Sequence, residues 1–505
     1  MQEGARAAPA RTGALRTGDR RGLLLAAGCA LMAVAAVWLR LEQRHHGLLY
    51  PDGYQYLLMA RGITEHLRPT TMLGPGGDLF SPSFDAATKP WFAAVVAALV
   101  EAGAPLRSAG GVVAAVSAAM ASVAAALLAL RLTRSAVAAL ACGATTLASP
   151  TLGFWWGFAG PDGMAAALAL TAAWLALRGD GVAAGIVTGL AVATRPELVV
   201  VAIACCLAAT AASATRPAAL RASAAAATTL AVVYAVFRPP LGWSSQLVVA
   251  PLAGVLGAGL LVLAWRAGAT RRGATAGFVA AALALGVLAA AGRARAIADL
   301  ASAEWPLLTA AALACAVLWL AGRMRPLLVT VAVAGLLVAV YASKNPHSAR
   351  YVANVLPVVA VVVALGVAAA SEARRRLVVG AIVALVACDA LIANAPPAPG
   401  RDPFDDVAPQ LARLPSGPLL SATPDAYGVL LPRRASRRLR PGARGLVVLD
   451  AGQRYYAPDF SARGAIALRT VPFYGFVRPD GTVDRGATTV VDGVVARTSG
   501  GRRRR

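Results

Sequence analysis

Three charged side chains in the front half of this chain have the types needed for transfer chemistry on an anionic, lipid-borne substrate: Asp52 in YPDGYQYLLMARG, Lys89 in FDAATKPWF and Asp162 in WWGFAGPDGMAAALAL. An alcohol has a pKa far above neutral, so a carboxylate must take its proton as the oxygen attacks, and Asp52 is the candidate base. A departing phosphate gains charge in the transition state, and a preorganised cation stabilises it by several kcal/mol, as an order of magnitude, where water is excluded. Lys89 is the candidate for that cation, with Arg350 or Arg61 as second choice. One carboxylate base and a direct displacement invert the reacting carbon, whereas double displacement needs a covalent intermediate on a second positioned group, so inversion is expected. No cofactor is required, because lysine and arginine supply the positive charge; a divalent metal enters only if Asp52 and Asp162 approach each other.

The elements that must position these groups are membrane spans. With 505 residues, 58% hydrophobic, 14% charged and a mean hydropathy of +0.64, the chain is too apolar for a soluble globular protein and too long for a single anchor. Its net charge of +24 does not point to nucleic acid. The arginines gather in short connections between apolar runs, as the positive-inside bias requires, and base-reading motifs are missing. The six cysteines, Cys29, Cys142, Cys205, Cys206, Cys315 and Cys388, fall inside apolar runs and read as small core residues, with no metal-ligand spacing.

Along the chain, residues 1–21 read as a disordered cytoplasmic tail, and a first retained span follows at 22–41. An outer loop, 42–88, carries Asp52, Tyr54, Tyr56 and Arg61, and a juxtamembrane or re-entrant helix is expected at 89–103. Further spans are expected near 108–130, 135–150, 163–177, 182–194, 197–213, 222–237, 247–265, 274–291, 306–321, 326–342, 352–370 and 376–394. If the 89–103 helix does not cross, Arg131, Arg134, Arg178, Arg216, Arg221, Arg266, Arg323, Arg325 and Arg374 all fall on the cytoplasmic side. The fold class is thus an α-helical polytopic plasma-membrane protein of about thirteen transmembrane helices. Its N-terminus is cytoplasmic, and its helical region spans 22–394. After a Pro-rich linker, residues 395–505 alternate apolar runs with turn residues and read as a small extracytoplasmic α/β domain with a basic tail.

The outer face collects further polar groups. Arg195 and Glu197 flank the break at Pro196, and Lys344, His347 and Arg350 lie in ASKNPHSARYVANVLP. Ionisable residues at membrane depth are costly and tend to be functional or paired. Plainer readings stand beside this one. Asp162 suits a helix N-terminus, Lys344 and Arg350 suit snorkelling, and Trp155 and Trp156 suit an interface belt more than a sugar platform.

These motifs, in this order, resemble the GT-C superfamily of membrane glycosyltransferases, in particular the branch of protein O-mannosyltransferases and lipid A aminoarabinose transferases. PDGYQYLLMARG is similar to that family's first-loop acid motif, TKPW to its lysine-proline motif, GPDGMAAALAL to its second-loop acid motif, TRPE to a recurring helix break and SARYVANVLPVV to its arginine-tyrosine-proline signature. The resemblance covers about residues 22–395 and departs at Trp91, where a second proline is common. It implies a GT-C-like fold and an inverting transferase that moves a hexosyl or pentosyl group on the outer face of the membrane. The donor would be a polyprenyl-phosphate sugar and the acceptor a hydroxyl of a lipid, protein or polysaccharide. By position, Asp52 and Asp162 become the catalytic acids and Lys89 the donor-phosphate ligand. Tyr54, Tyr56, Arg195, Glu197 and His347 complete the set as substrate-binding candidates. Two other classes fit many spans: a transporter or lipid-linked-sugar flippase, which would place ionisable residues near mid-span in matched halves, and a noncatalytic membrane scaffold.

Overall fold

Proline and glycine set where the helices of this chain begin and stop. The computed structural model describes residues 17–42, 51–156, 158–198, 216–238, 294–322, 353–370, 372–394, 403–477 and 483–497. Within them α1 is Thr17–Glu42, α2 Pro51–His66, α3 Phe84–Ala87, α4 Pro90–Glu101, α5 Leu106–Thr133, α6 Ala136–Ala148, α7 Pro150–Trp156, α8 Pro161–Arg178 and α9 Gly181–Thr194. Then come α10 Arg216–Phe237, α11 Ala294–Ala303, α12 Trp305–Leu320, α13 Leu356–Ala369 and α14 Glu372–Asn394. Several begin on a proline, whose fixed φ suits the first turn and whose missing N–H costs nothing there. The expected spans near 247–265, 274–291 and 326–342 lie outside the described residues, as does most of 197–213.

Among the described residues, α5 alone is both long and apolar enough to cross a bilayer by length and composition; its 28 residues rise about 42 Å. Shorter apolar helices accompany it, including α4, α6, α9, α12 and α13. Their outward faces stay apolar. Leu24, Leu31, Val34 and Trp38 on α1, and Val112, Val116 and Met120 on α5, are exposed at helical spacing, a continuous stripe that water would penalise and lipid would not. Inside, small residues let backbones approach. A Cβ on Gly185 of α9 would lie 2.2 Å from the Ala222 carbonyl oxygen of α10, and one on Gly189 2.7 Å from that of Ala226. This is the small-xxx-small contact of packed membrane helices.

The segment expected as an outer loop is more ordered from residue 51 on than its composition suggests. Residues 51–66 form α2, and the Gly/Pro-rich passage after it folds into a two-stranded antiparallel hairpin, β1 (Thr71–Met72) and β2 (Leu79–Phe80). The helix expected at 89–103 is α4, and Ala102 to Pro105 join it directly to α5.

Beyond residue 403 the chain builds a five-stranded mixed sheet in the order β4 (Ser436–Arg438), β3 (Leu419–Ser421), β5 (Arg444–Leu449), β7 (Val483–Arg497), β6 (Phe460–Val477). The β4, β3 and β5 strands run parallel; β5 with β7 and β7 with β6 are antiparallel. Helices α15 (Pro403–Ala412), α16 (Pro424–Leu430) and α17 (Ala451–Tyr456) accompany it. This sheet unit does not hang free on a tether. Phe404, Val407, Leu419, Tyr427, Leu446 and Val490 belong to one buried apolar cluster with Leu57, Leu58 and Met59 of α2 and Phe92 and Val96 of α4.

Candidate active site

Among the described residues, each buried charge of the helical region stands at a helix end near a proline. Pro90 opens α4, so Lys89 is its N-cap residue, and the lysine is buried. Pro161 opens α8 and puts Asp162 in the first turn, also buried. Pro196 disfavours the helical conformation in the residue before it; Arg195 is accordingly the extended C-cap of α9, and a three-residue 3-10 turn, Pro196–Leu198, follows. Pro51 opens α2 and puts the half-buried Asp52 in its first turn.

These ends are brought to one side. Gly110 near the start of α5 holds the arrangement: a Cβ there would lie 2.6 Å from Leu57 Cδ2 of α2 and 3.2 Å from Ala159 Cβ in the turn leading to α8. The start of α5, the start of α8 and the middle of α2 therefore meet. Helix α4 packs on α2, α5 and α9, and Tyr234 of α10 donates from its hydroxyl to the carbonyl of Thr88 at 3.4 Å, beside Lys89. The opposite end of the bundle is basic. Arg131 donates through Nε to the carbonyl of Leu177 at 3.0 Å, Arg134 caps α5 in the left-handed conformation and Arg178 lies over the Trp174 ring at 4.7 Å.

The Asp162 carboxylate takes a direct hydrogen bond and ion pair from Nη2 of Arg195, with both side chains buried. The contact links the beginning of α8 to the break after α9. A carboxylate so paired is fixed in direction, which suits a group that orients a substrate.

Other candidates of the sequence fall into packing. Tyr54 is buried edge-on against Phe404, with ring centroids 5.4 Å apart, and Phe404 meets Tyr427 of the sheet unit in the same way at 5.4 Å. Tyr56 packs edge-on against Phe92 at 5.7 Å. Such pairs contribute about 0.5–1.5 kcal/mol each beyond the area they bury, so both tyrosines join α2 to its neighbours. Arg61 lies well along α2 from Asp52; it pairs with Glu65 at 3.6 Å and donates through Nη1 to the Gly428 carbonyl of α16 at 3.2 Å. It lines a cavity of about 390 Å³ with Glu65, His66, Thr71 and Pro432, a lining that includes none of Asp52, Lys89 or Asp162. Trp155 and Trp156 are buried in the core and form no interface belt, and Trp156 Nε1 donates to Asn354 Oδ1 at 3.4 Å. His347 and Arg350 lie outside the described residues, and so does the side chain of Glu197.

Two acids escaped the sequence reading. Glu304, fully buried before α12, accepts from Ser149 Oγ at 2.6 Å and from the Thr151 amide at 2.8 Å, which caps the start of α7. Asp425, in the first turn of α16, faces Asp52 and accepts a hydrogen bond from Gln55. A signal for Asp425 existed. Pro424-Asp425 repeats the Pro51-Asp52 and Pro161-Asp162 pairs that open α2 and α8. Pro458-Asp459 has the same form and opens only a turn, so the dipeptide alone does not single out a site.

No family model matches the chain, and no curated protein matches it. Among solved structures it is similar to the crystal structure of ArnT from Cupriavidus metallidurans bound to undecaprenyl phosphate, at 18% identity and a TM-score of 0.39, over 93% of this chain and 97% of that one.

Proposed function

We propose that this protein is an inverting membrane glycosyltransferase of GT-C type that moves a sugar from a polyprenyl-phosphate donor to a hydroxyl acceptor at the outer face of the membrane. The observation that carries this reading is the gathering of the elements that bear Asp52, Lys89, Asp162 and Arg195 at one end of a helical bundle, opposite the end that bears Arg131, Arg134 and Arg178. By the positive-inside bias the arginine end is cytoplasmic, so the acidic end and the sheet unit packed on α2 are outside. In the reaction the acceptor oxygen forms a bond to the anomeric carbon as its proton passes to Asp52. The bond from that carbon to the phosphate oxygen breaks, and the polyprenyl phosphate leaves with the electron pair beside Lys89. Asp162, held by Arg195, orients the sugar. A flippase would put ionisable groups at mid-span; among the described residues the buried charges Lys89, Asp162, Arg195 and Glu304 all stand at helix ends.

The test is transfer by membranes that contain the protein, offered a panel of radiolabelled polyprenyl-phosphate sugars. Wild-type membranes should consume at least one donor and label an endogenous acceptor. Asp52→Asn should lower the rate by about 10²- to 10⁴-fold, the usual contribution of a general base, at unchanged membrane abundance. Full activity in Asp52→Asn would remove the base and with it this assignment.

A further inference from the structure

The sheet unit reaches the neighbourhood of Asp52 through Asp425 of α16. Helix α16 lies along α2 with Asp425 opposite Asp52 and Gln55, and Gly428, three residues on and so on the same face, opposite Leu58 and Arg61. Gly428 allows this close seat: a Cβ there would stand 2.7 Å from Leu73 Cδ2 and 3.7 Å from Leu58 Cδ2. Gln55 is held from its other side. Its Oε1 accepts from Ser83 Oγ at 3.4 Å, which leaves the amide nitrogen as the donor to Asp425. Ser83 Oγ also accepts from the Ala86 amide at 3.3 Å, and the carbonyl of Ala86 accepts from the Lys89 amide at 2.9 Å. An unbroken set of contacts thus runs from the sheet unit across the face of α2 to the segment that leads into Lys89.

Resting on the transfer reading above, we propose that Asp425 is a positioning residue of that site: through Gln55 and Ser83 it fixes the α2 face that presents Asp52 and ties that face to the approach to Lys89. The sheet unit is then part of the active centre and not an appended module.

Burial pushes the Asp425 carboxyl up to about 6; Arg438 of β4 pulls it back, the Asp52 carboxylate adds to the rise, and the bond from Gln55 favours the charged form. Of the other elements packed on α16, β3 brings no charged side chain, and α15 carries Asp405 and Asp406, whose side chains lie outside the described residues. Because the folded state holds its proton up to about pH 6 while the unfolded chain releases it near 4, the contribution of Asp425 to stability falls as pH rises through that window. At neutral pH the charged residue is a cost to folding.

The experiment uses the full-length protein in membranes, with the polyprenyl-phosphate sugar that wild type consumes. Asp425→Asn should lower kcat about ten- to a hundredfold with little change in KM for the donor. Wild type should show an inflection near pH 6 in its rate profile that Asp425→Asn lacks, and the variant should melt no lower than wild type at pH 7.5. Gln55→Leu, which cuts the connection from the other side, should lower kcat in the same way. Wild-type rates and an unchanged profile in Asp425→Asn, beside an inactive Asp52→Asn, would overturn the positioning role and leave the transfer reading standing. An active Asp52→Asn would sink that reading itself. Loss of both Asp425→Asn and Gln55→Leu from the membrane would assign the contact to folding and likewise overturn the proposal.

Discussion

At the scale of single residues, the buried contact between Asp162 and Arg195 has unequal consequences for its two halves. Removing one member of a buried ion pair strands the other charge, a loss of about 3–5 kcal/mol, whereas replacing both by apolar groups is often neutral. Arg195→Met should therefore lower the melting temperature in detergent far more than the double substitution Asp162→Leu with Arg195→Met, while both variants lose transfer. Equal melting of the two would show that the pair is solvated. That Asp52, Lys89 and Asp162 stand at helix ends was legible in the sequence because the prolines beside them announce such ends. Their partners were not legible. That Asp162 meets Arg195, and that Tyr54 and Tyr56 spend their rings on Phe404 and Phe92, depends on which faces meet, and residue type carries no record of that.

At the scale of elements, the close packing of α9 on α10 supports the C-cap that presents Arg195. A Cβ at Gly185 would meet a backbone oxygen at 2.2 Å, and backbone cannot step aside as a side-chain tip can. Gly185→Val should cost about 1–3 kcal/mol or more as the helices part, and transfer should fall with it because the break at Pro196 moves. Gly111→Ala on α5, where a Cβ would meet nothing within 4 Å, should be neutral or stabilise by up to about 1 kcal/mol. Thermal melts of the two variants check both expectations. Helices α5, α8 and α9 were readable as apolar runs bounded by turn residues. Helix α2 was not, since its sixteen residues include Asp, Gln, Arg, Thr, Glu and His and look like loop until the sheet unit and α4 cover them.

At the scale of the whole molecule, the orientation of the bundle has a direct check. Ser416 is exposed on the sheet unit and Arg178 is exposed at the arginine end of α8. A cysteine at Ser416 should react with a membrane-impermeant maleimide on intact cells, and one at Arg178 only after permeabilisation. The reverse pattern would invert the topology and take the outer-face reaction with it. The sheet unit was visible in the sequence as alternating apolar runs after a proline-rich stretch. Its attachment was not, because the hydrogen bonds that dock the hairpin on β4, from the Arg437 guanidinium to the Gly76 carbonyl at 2.6 Å and from the Arg438 amide to Asp78 Oδ2 at 2.9 Å, join positions about 360 residues apart.

That separation also sets an order of assembly during synthesis. Helix α2 leaves the ribosome early and meets α4 and α5 soon after, but the rest of its cover belongs to the last fifth of the chain; the contact between Arg61 and Gly428 spans 367 residues. At 5–20 residues per second the early helix waits roughly 20–70 s for its cover. Until then the side of α2 that α16 covers is open to chaperones and proteases, and a nascent chain stalled before Gly428 remains a target for degradation.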